Sequence, residues 1–144
     1  MYLIDTNVIS EYRKGAGTNP GVRQFFADVE STVLFLPVQV AGEIQAGIAK
    51  LRRIGTEQAR LQARIYEDWL DGLLAEYGNR VLGLDIEATR MWGSLLSTDK
   101  KDPHTIDKQI AAIALIYNLT VVTRDKGEAF SRIPAVQVLD PFSA

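Results

Sequence analysis

Tyr2-Leu3-Ile4-Asp5-Thr6-Asn7 and Thr120-Val121-Val122-Thr123-Arg124-Asp125 share one pattern: a short apolar run that stops abruptly in polar residues. Runs of this kind, rich in β-branched residues and without strict alternation, are how a strand buried on both faces reads. The polar exits supply turn formers and helix caps. Two further runs repeat the theme, Val33-Leu34-Phe35-Leu36 closed by Pro37 and Val81-Leu82-Gly83-Leu84, and a final alternation extends from Ala135 to Leu139.

Helical spacing fills the intervals. Val8, Ile9 and Tyr12 start a helix that Gly15 and Gly17 break, and Asn19-Pro20 opens the next, with Asn as cap and Pro in the first turn. Val22, Phe25, Phe26 and Val29 recur along it, and Val40, Ile44, Ile48 and Leu51 mark a third helix ended by Gly55. Thr56 caps a long helix in which Leu61, Ile65, Trp69, Leu73 and Tyr77 recur four apart, with Arg60, Arg64, Glu67, Asp68 and Asp71 expected in solvent. Asp85 caps a helix through Leu96, residues 97–104 read as a loop, and Ile106 to Tyr117 is the most apolar helix. Strands alternating with helices predict an α/β fold, a central and mostly parallel sheet of about five strands flanked by helices. Nothing resembles a linker or repeat, so residues 1–144 are expected to form a single domain.

Composition excludes several chemistries. The chain has 144 residues, enough to bury roughly 70% of its extended surface without cross-links. With no cysteine and one histidine, His104, disulfides, thiolate zinc sites, cysteine nucleophiles and multi-histidine metal sites are all ruled out. No apolar run approaches the roughly 20 residues that cross a bilayer, and the opening Met1-Tyr2-Leu3-Ile4-Asp5 carries no basic leader, so no secretory signal and a cytoplasmic location are expected. The net charge of −2 does not suggest a nucleic-acid binder, although Lys50, Arg52, Arg53, Arg60 and Arg64 face only Glu57 over their stretch. A solvated pair of helix faces explains that run equally well.

Any catalysis must therefore lean on carboxylates, and four of the eighteen acids stand apart by position. Asp5 and Asp125 follow the carboxyl ends of two strands, where the crevice of an open parallel sheet lies. Glu43 interrupts a small, apolar helix opening, Val40-Ala41-Gly42-Glu43-Ile44, and Asp107 sits in the first turn of the most hydrophobic helix. Brought together bare, such carboxylates repel by several kcal/mol. A hard divalent cation removes that penalty, and Mg²⁺ or Mn²⁺ favours oxygen ligands. Each acid alone also has a plain structural role: Asp5 as a helix cap, Asp107 complementing a helix dipole, Asp125 in a turn, Glu43 on a polar helix face. The residues by themselves leave both readings open.

The same residues carry a family resemblance. Leu3-Ile4-Asp5-Thr6-Asn7-Val8-Ile9-Ser10-Glu11 resembles the opening of PIN-domain proteins. Gly42-Glu43-Ile44 followed by Gly47, then Asp107-Lys108-Gln109-Ile110-Ala111-Ala112, then Thr120-Val121-Val122-Thr123-Arg124-Asp125 continue the resemblance in family order along essentially the whole chain. Within that family the chain is most similar to the toxin ribonucleases of bacterial toxin–antitoxin pairs, the VapC type and its FitB-like relatives. The resemblance implies that Asp5, Glu43, Asp107 and Asp125 form an acidic site for Mg²⁺ or Mn²⁺, with Thr6, Asn7 and Thr123 as polar support. Many members have Asn where Asp125 stands and an acid a few residues later, near Glu128; Asp125 is preferred because it follows the strand directly.

The implied activity is metal-dependent hydrolysis of RNA phosphodiester bonds, leaving a 5′-phosphate and a 3′-hydroxyl. The implied partners are an RNA substrate, a small DNA-binding antitoxin and a second copy of the chain, with Trp69, Trp92 and Phe26 offered as surplus apolar surface. The basic helices from Lys50 to Arg64 would belong to the partner or RNA surface, whereas Arg124 and Lys126 read as solvated loop charges. Two other functions remain to be weighed. A non-catalytic PIN-fold interaction protein would keep the fold alone. An aspartyl-phosphate phosphotransferase of the haloacid-dehalogenase kind also has an Asp after its first strand, but it needs a second Asp where this chain has Asn7.

Overall fold

The computed structural model describes residues 1–96, 102–124 and 129–143. Five short strands, β1 (Tyr2–Ile4), β2 (Leu34–Pro37), β3 (Val81–Leu82), β4 (Thr120–Val122) and β5 (Val138–Leu139), join in the order β3-β2-β1-β4-β5. Every neighbouring pair is parallel. The chain steps outward from β1 to β2 and β3, then returns to the other side of β1 for β4 and β5. The order reverses between β1 and β4, so the crevice of the sheet opens at their carboxyl ends. The α/β parallel architecture expected from the apolar runs is the one found.

Among the described residues six helices connect the strands: α1 (Thr6–Tyr12), α2 (Pro20–Asp28), α3 (Gln39–Ile54), α4 (Glu57–Tyr77), α5 (Ile86–Leu95) and α6 (Thr105–Tyr117). Their ends follow the local chemistry. Asn19 accepts from the amides of Gly21 and Val22, Thr56 from Ala59, and Asp85 from Ala88, each satisfying donors that a helix start leaves open. Gly55, at φ +77°, turns α3 into α4.

Side chains of successive strand residues point to opposite faces and divide the core in two. Ile4 and Val122 join Val8, Val22, Leu36, Val40, Ile44 and Tyr77 under α1–α4. Leu3 and Val121 join Ala88, Ile110, Ala111 and Ile113 under α5 and α6. Because β1 and β4 are covered on both sides, they carry no polar face. At the edge, Arg80 donates to the carbonyls of Ser31 (2.5 Å) and Leu34 (2.7 Å) and pins the end of α4 to the start of β2.

The structure corrects several sequence expectations. The second strand begins at Leu34 because Ser31–Val33 form a turn of 3₁₀ helix, and the third and fifth are shorter than their apolar runs. The four-apart series on α4 does not make a stripe: Leu61 and Ile65 are more than half exposed, whereas Leu73 and Tyr77 are buried. Steps of four residues overshoot a turn by about 40° each, so such a series winds around the helix. The inward seam is instead Ala59, Ala63, Leu70, Leu73 and Tyr77, with half-buried Tyr66 between, an alternation of three and four that stays on one face. Glu67, expected in solvent, reaches across to pair with Arg52 of α3. Trp69 and Phe26 pack on this chain's own core, and Trp92 is half-buried with its Nε1 donating to the Thr105 carbonyl (3.2 Å). These three are therefore not the free apolar surface they were offered as.

The 3₁₀ turn at Pro141–Ser143 lies against the start of α2. A Cβ at Gly21 would stand 2.0 Å from the Pro141 carbonyl oxygen, inside any tolerable contact between backbone atoms. Gly21→Ala should therefore lower stability by about 1–3 kcal/mol. Gly72→Ala, in the middle of α4 with nothing within 4 Å of the added carbon, should raise it by about 0.5–1 kcal/mol. Urea unfolding midpoints of the two variants, moving in opposite directions, check the claim.

Candidate active site

At the carboxyl edge of β1, Asp5 is buried with 7% of its surface exposed. Its amide donates to the Val122 carbonyl (3.0 Å), so the residue is locked to β4 before its side chain does anything. One carboxylate oxygen accepts from the Thr6 amide at 2.8 Å, capping α1 as an Asp at that position does. The other accepts from the hydroxyl of buried Thr123, also at 2.8 Å, just past β4. Asp5 is thus a helix cap, and the cap aims its carboxylate across the switch between β1 and β4.

Asn7 completes the frame. Its Nδ2 donates to the Thr123 hydroxyl (3.1 Å) and its Oδ1 accepts from the Arg124 amide (3.1 Å). Thr123 therefore accepts from Asn7 and donates to Asp5, which sets its hydroxyl direction. Thr6 donates its hydroxyl to Glu43 Oε1 (2.8 Å), tying α1 to the second turn of α3. Asp107 stands in the first turn of α6, its Oδ2 3.7 Å from His104 Nδ1. Asp125 and Glu128 lie outside the described residues, as does Lys126. Arg124 is exposed, with its guanidinium 3.7 Å from the centre of the Phe142 ring.

Electrostatics links three of these acids. Burial pushes the Asp5 carboxyl up to about 6 from 3.8, against the hydrogen bonds from Thr123 and Thr6, and the negative charges of Glu43 and Asp107 push it further in the same direction. Among the described residues, no three acidic or imidazole side chains are gathered tightly enough to hold a metal ion as they stand. The fit to a divalent cation is one of donor chemistry. The donors are all carboxylate oxygens, they sit where their charges repel, and among the described residues each Asp5 oxygen accepts one hydrogen bond.

Two residues at this edge went unremarked in the sequence. Gln39, in the first turn of α3, donates Nε2 to Gln109 Oε1 of α6 (3.1 Å), and Gln39 Oε1 is buried without a partner among the described residues. Gln39 opens α3 and Gln109 lies in the second turn of α6, and no local pattern pairs the two.

The Asp5 environment makes stability depend on pH. Below pH 3.8 its carboxyl is neutral in both states. Above that the unfolded chain ionises first, so the native state loses stability until the folded group ionises near pH 6. The loss amounts to roughly 2–3 kcal/mol. In EDTA, denaturant titrations at pH 4 and 7.5 should show wild type losing that much more than Asp5→Asn between the two conditions. Equal losses would place Asp5 in an environment that does not hinder its charge.

The PIN domain family model matches residues 2–136. The chain is similar to the plasmid stability protein StbB of Pseudomonas syringae pv. tomato, 33% identical over 147 residues and covering 100% of both chains. It is also similar to the VapC ribonuclease Y4jK of Sinorhizobium fredii, 30% identical over 129 residues and 87% of each chain. The crystal structure of FitAcB from Neisseria gonorrhoeae matches it with a TM-score of 0.80 at 27% identity, over 100% of both chains. A parallel sheet with an Asp-Thr-Asn exit at its switch point, matched over nearly its whole length by one family model, leaves one assignment: the chain belongs to the PIN-domain family, in its VapC- and FitB-like group.

Proposed function

We propose that the chain is the toxin of a toxin–antitoxin pair and acts as a Mg²⁺- or Mn²⁺-dependent endoribonuclease. The observation that carries this reading is the framed Asp5 carboxylate, which feels the charges of Glu43 and Asp107 at the mouth of the β1–β4 crevice. Asp5, Glu43, Asp107 and Asp125 would hold the cation, which when bound lowers the pKa of a coordinated water and offsets charge on the phosphate. The rest of the work falls to this chain. Thr123 and the Thr6 amide fix both oxygens of Asp5, while the Thr6 hydroxyl orients Glu43. Asn7 holds Thr123 and the chain leaving β4. Water adding in line to the phosphorus expels the ribose 3′-oxygen, giving a 5′-phosphate and a 3′-hydroxyl.

A phosphotransferase relying on two aspartates is disfavoured, because Asn7 is an amide committed on both of its polar atoms. The reading extends the domain over residues 1–144, places it in the cytoplasm and gives it a small DNA-binding antitoxin and a second copy as partners. Among the described residues no helix is long and apolar enough to cross a membrane. Exposed Ile54, Leu61, Ile65 and Ile86 supply apolar contact area for such partners.

Purified protein should cut unstructured RNA with Mg²⁺ or Mn²⁺ and stop in EDTA. Asp5→Asn and Asp107→Asn should each lose at least about 100-fold, and Thr123→Val about 10–100-fold. Undiminished cutting in EDTA, with Asp5→Asn as active as wild type, overturns the proposal; a chain that never cuts yet binds a protein partner supports the non-catalytic reading. Independently of activity, Mg²⁺ at 100 times its Kd should stabilise the wild type by about 2.7 kcal/mol in thermal melts, an increment that Asp107→Asn should lack.

A further inference from the structure

A groove of about 490 Å³ runs from the acidic site between α1, α3 and α4. Its lining includes Thr6 and Glu43 of the acidic site as well as Arg13, Tyr66 and Trp69. Its size suits a small organic group rather than a helix, since pockets of this order take single small ligands. Exposed Arg13 is held there: its guanidinium lies 4.5 Å from the Tyr66 ring centre and 5.7 Å from that of Trp69, and its Nη2 donates to the Tyr66 hydroxyl (3.3 Å). Gln62 Nε2 donates to the same hydroxyl (3.2 Å). Cation and rings together make a preorganised shelf, which the catalytic frame does not use.

We propose that this groove holds one unpaired nucleotide of the RNA beside the cleaved bond, its base stacked on the Arg13–Tyr66–Trp69 shelf. The proposal rests on the ribonuclease reading and names a specificity-determining subsite within it. Three observations select this occupant. The groove is continuous with the acidic site, so its contents adjoin whatever reacts there. Its charged lining residues besides Glu43 are Arg13 and Lys50, both cations, which complements a phosphate chain entering past the acids. Planar aromatic and guanidinium surfaces take any nucleobase by its face, and an unpaired base is the part of RNA that offers one. Gly47 lines the same groove with nothing within 4 Å of where its Cβ would be, so the space opposite the shelf is left open by a missing side chain.

Binding can be read apart from cutting. Trp69 fluorescence in a Trp92→Phe background, followed in EDTA while unstructured oligoadenylate or oligouridylate is added, should show saturable quenching. Arg13→Ala and Gly47→Leu should weaken that binding roughly ten- to hundredfold without lowering the melting temperature, and should raise KM for cleavage far more than they lower kcat. Arg13→Lys, which keeps the charge and loses the plane, should behave like Arg13→Ala. Asp5→Asn should do the reverse, losing kcat while still binding RNA. Wild-type RNA affinity and KM in both Arg13→Ala and Gly47→Leu overturn the subsite, as does loss of a bound protein partner in those variants with RNA binding unchanged. If wild type neither cuts nor binds RNA, the ribonuclease reading fails first; if it cuts normally in every groove variant, only the subsite fails.

Discussion

A carboxylate cut off from water is costly unless hydrogen bonds and opposite charge replace what it loses. Asp5 is held in that condition. Its backbone belongs to the sheet, bonded to β4, and its side chain is shared between the first amide of α1 and the Thr123 hydroxyl. These bonds lower its pKa, but burial and the neighbouring charges of Glu43 and Asp107 outweigh them. The group is thus positioned without being neutralised, which is the condition in which a cation gains most by arriving.

The remaining architecture follows from where that carboxylate must stand. Parallel strands present their carboxyl ends along one edge, and helices returning antiparallel to them begin there, so the starts of α1, α3 and α6 converge without special pleading. Asn7 adds the specific lock, bridging α1 to the exit of β4 through Thr123 and Arg124. Where that lock is polar and exact in direction, the support beneath it is apolar and general: Leu3, Ile4, Val121 and Val122 are buried completely and serve both halves of the core.

The α3–α4 pair turns the same edge into something wider than a point of chemistry. Its inward seam is built partly of Ala59 and Ala63, small residues that let α4 approach closely while the larger Leu61 and Ile65 face out. Arg52 pairs across to Glu67, and Arg13, held on Tyr66, lines a groove that also includes Glu43. A cation placed over aromatic rings loses freedom before any ligand arrives, so ordering it costs less later.

Much of this was legible in the residues. Apolar runs ending in Asp-Thr-Asn and Thr-Arg predicted strands at β1 and β4, because a strand covered on both sides tolerates no polar position. Asn19-Pro20, Thr56 and Asp85 marked helix starts, since capping is chemistry within a few residues. Asp5, Glu43 and Asp107 were distinguishable by position and by family motif. Other features depend on which residues meet across the fold. That Leu61 and Ile65 face outward follows from the phase of a whole helix, not from a spacing of four. The roles of Gln39, Gln109, Arg80 and Arg13 arise from partners distant in sequence: Gln39 and Gln109 are 70 residues apart, Arg80 reaches Ser31 and Leu34 at separations of 49 and 46, and Arg13 reaches Tyr66 at 53. Local preference is written in neighbouring residues and can be read there; a hydrogen bond or a groove between distant elements exists only once the sheet has set their distance.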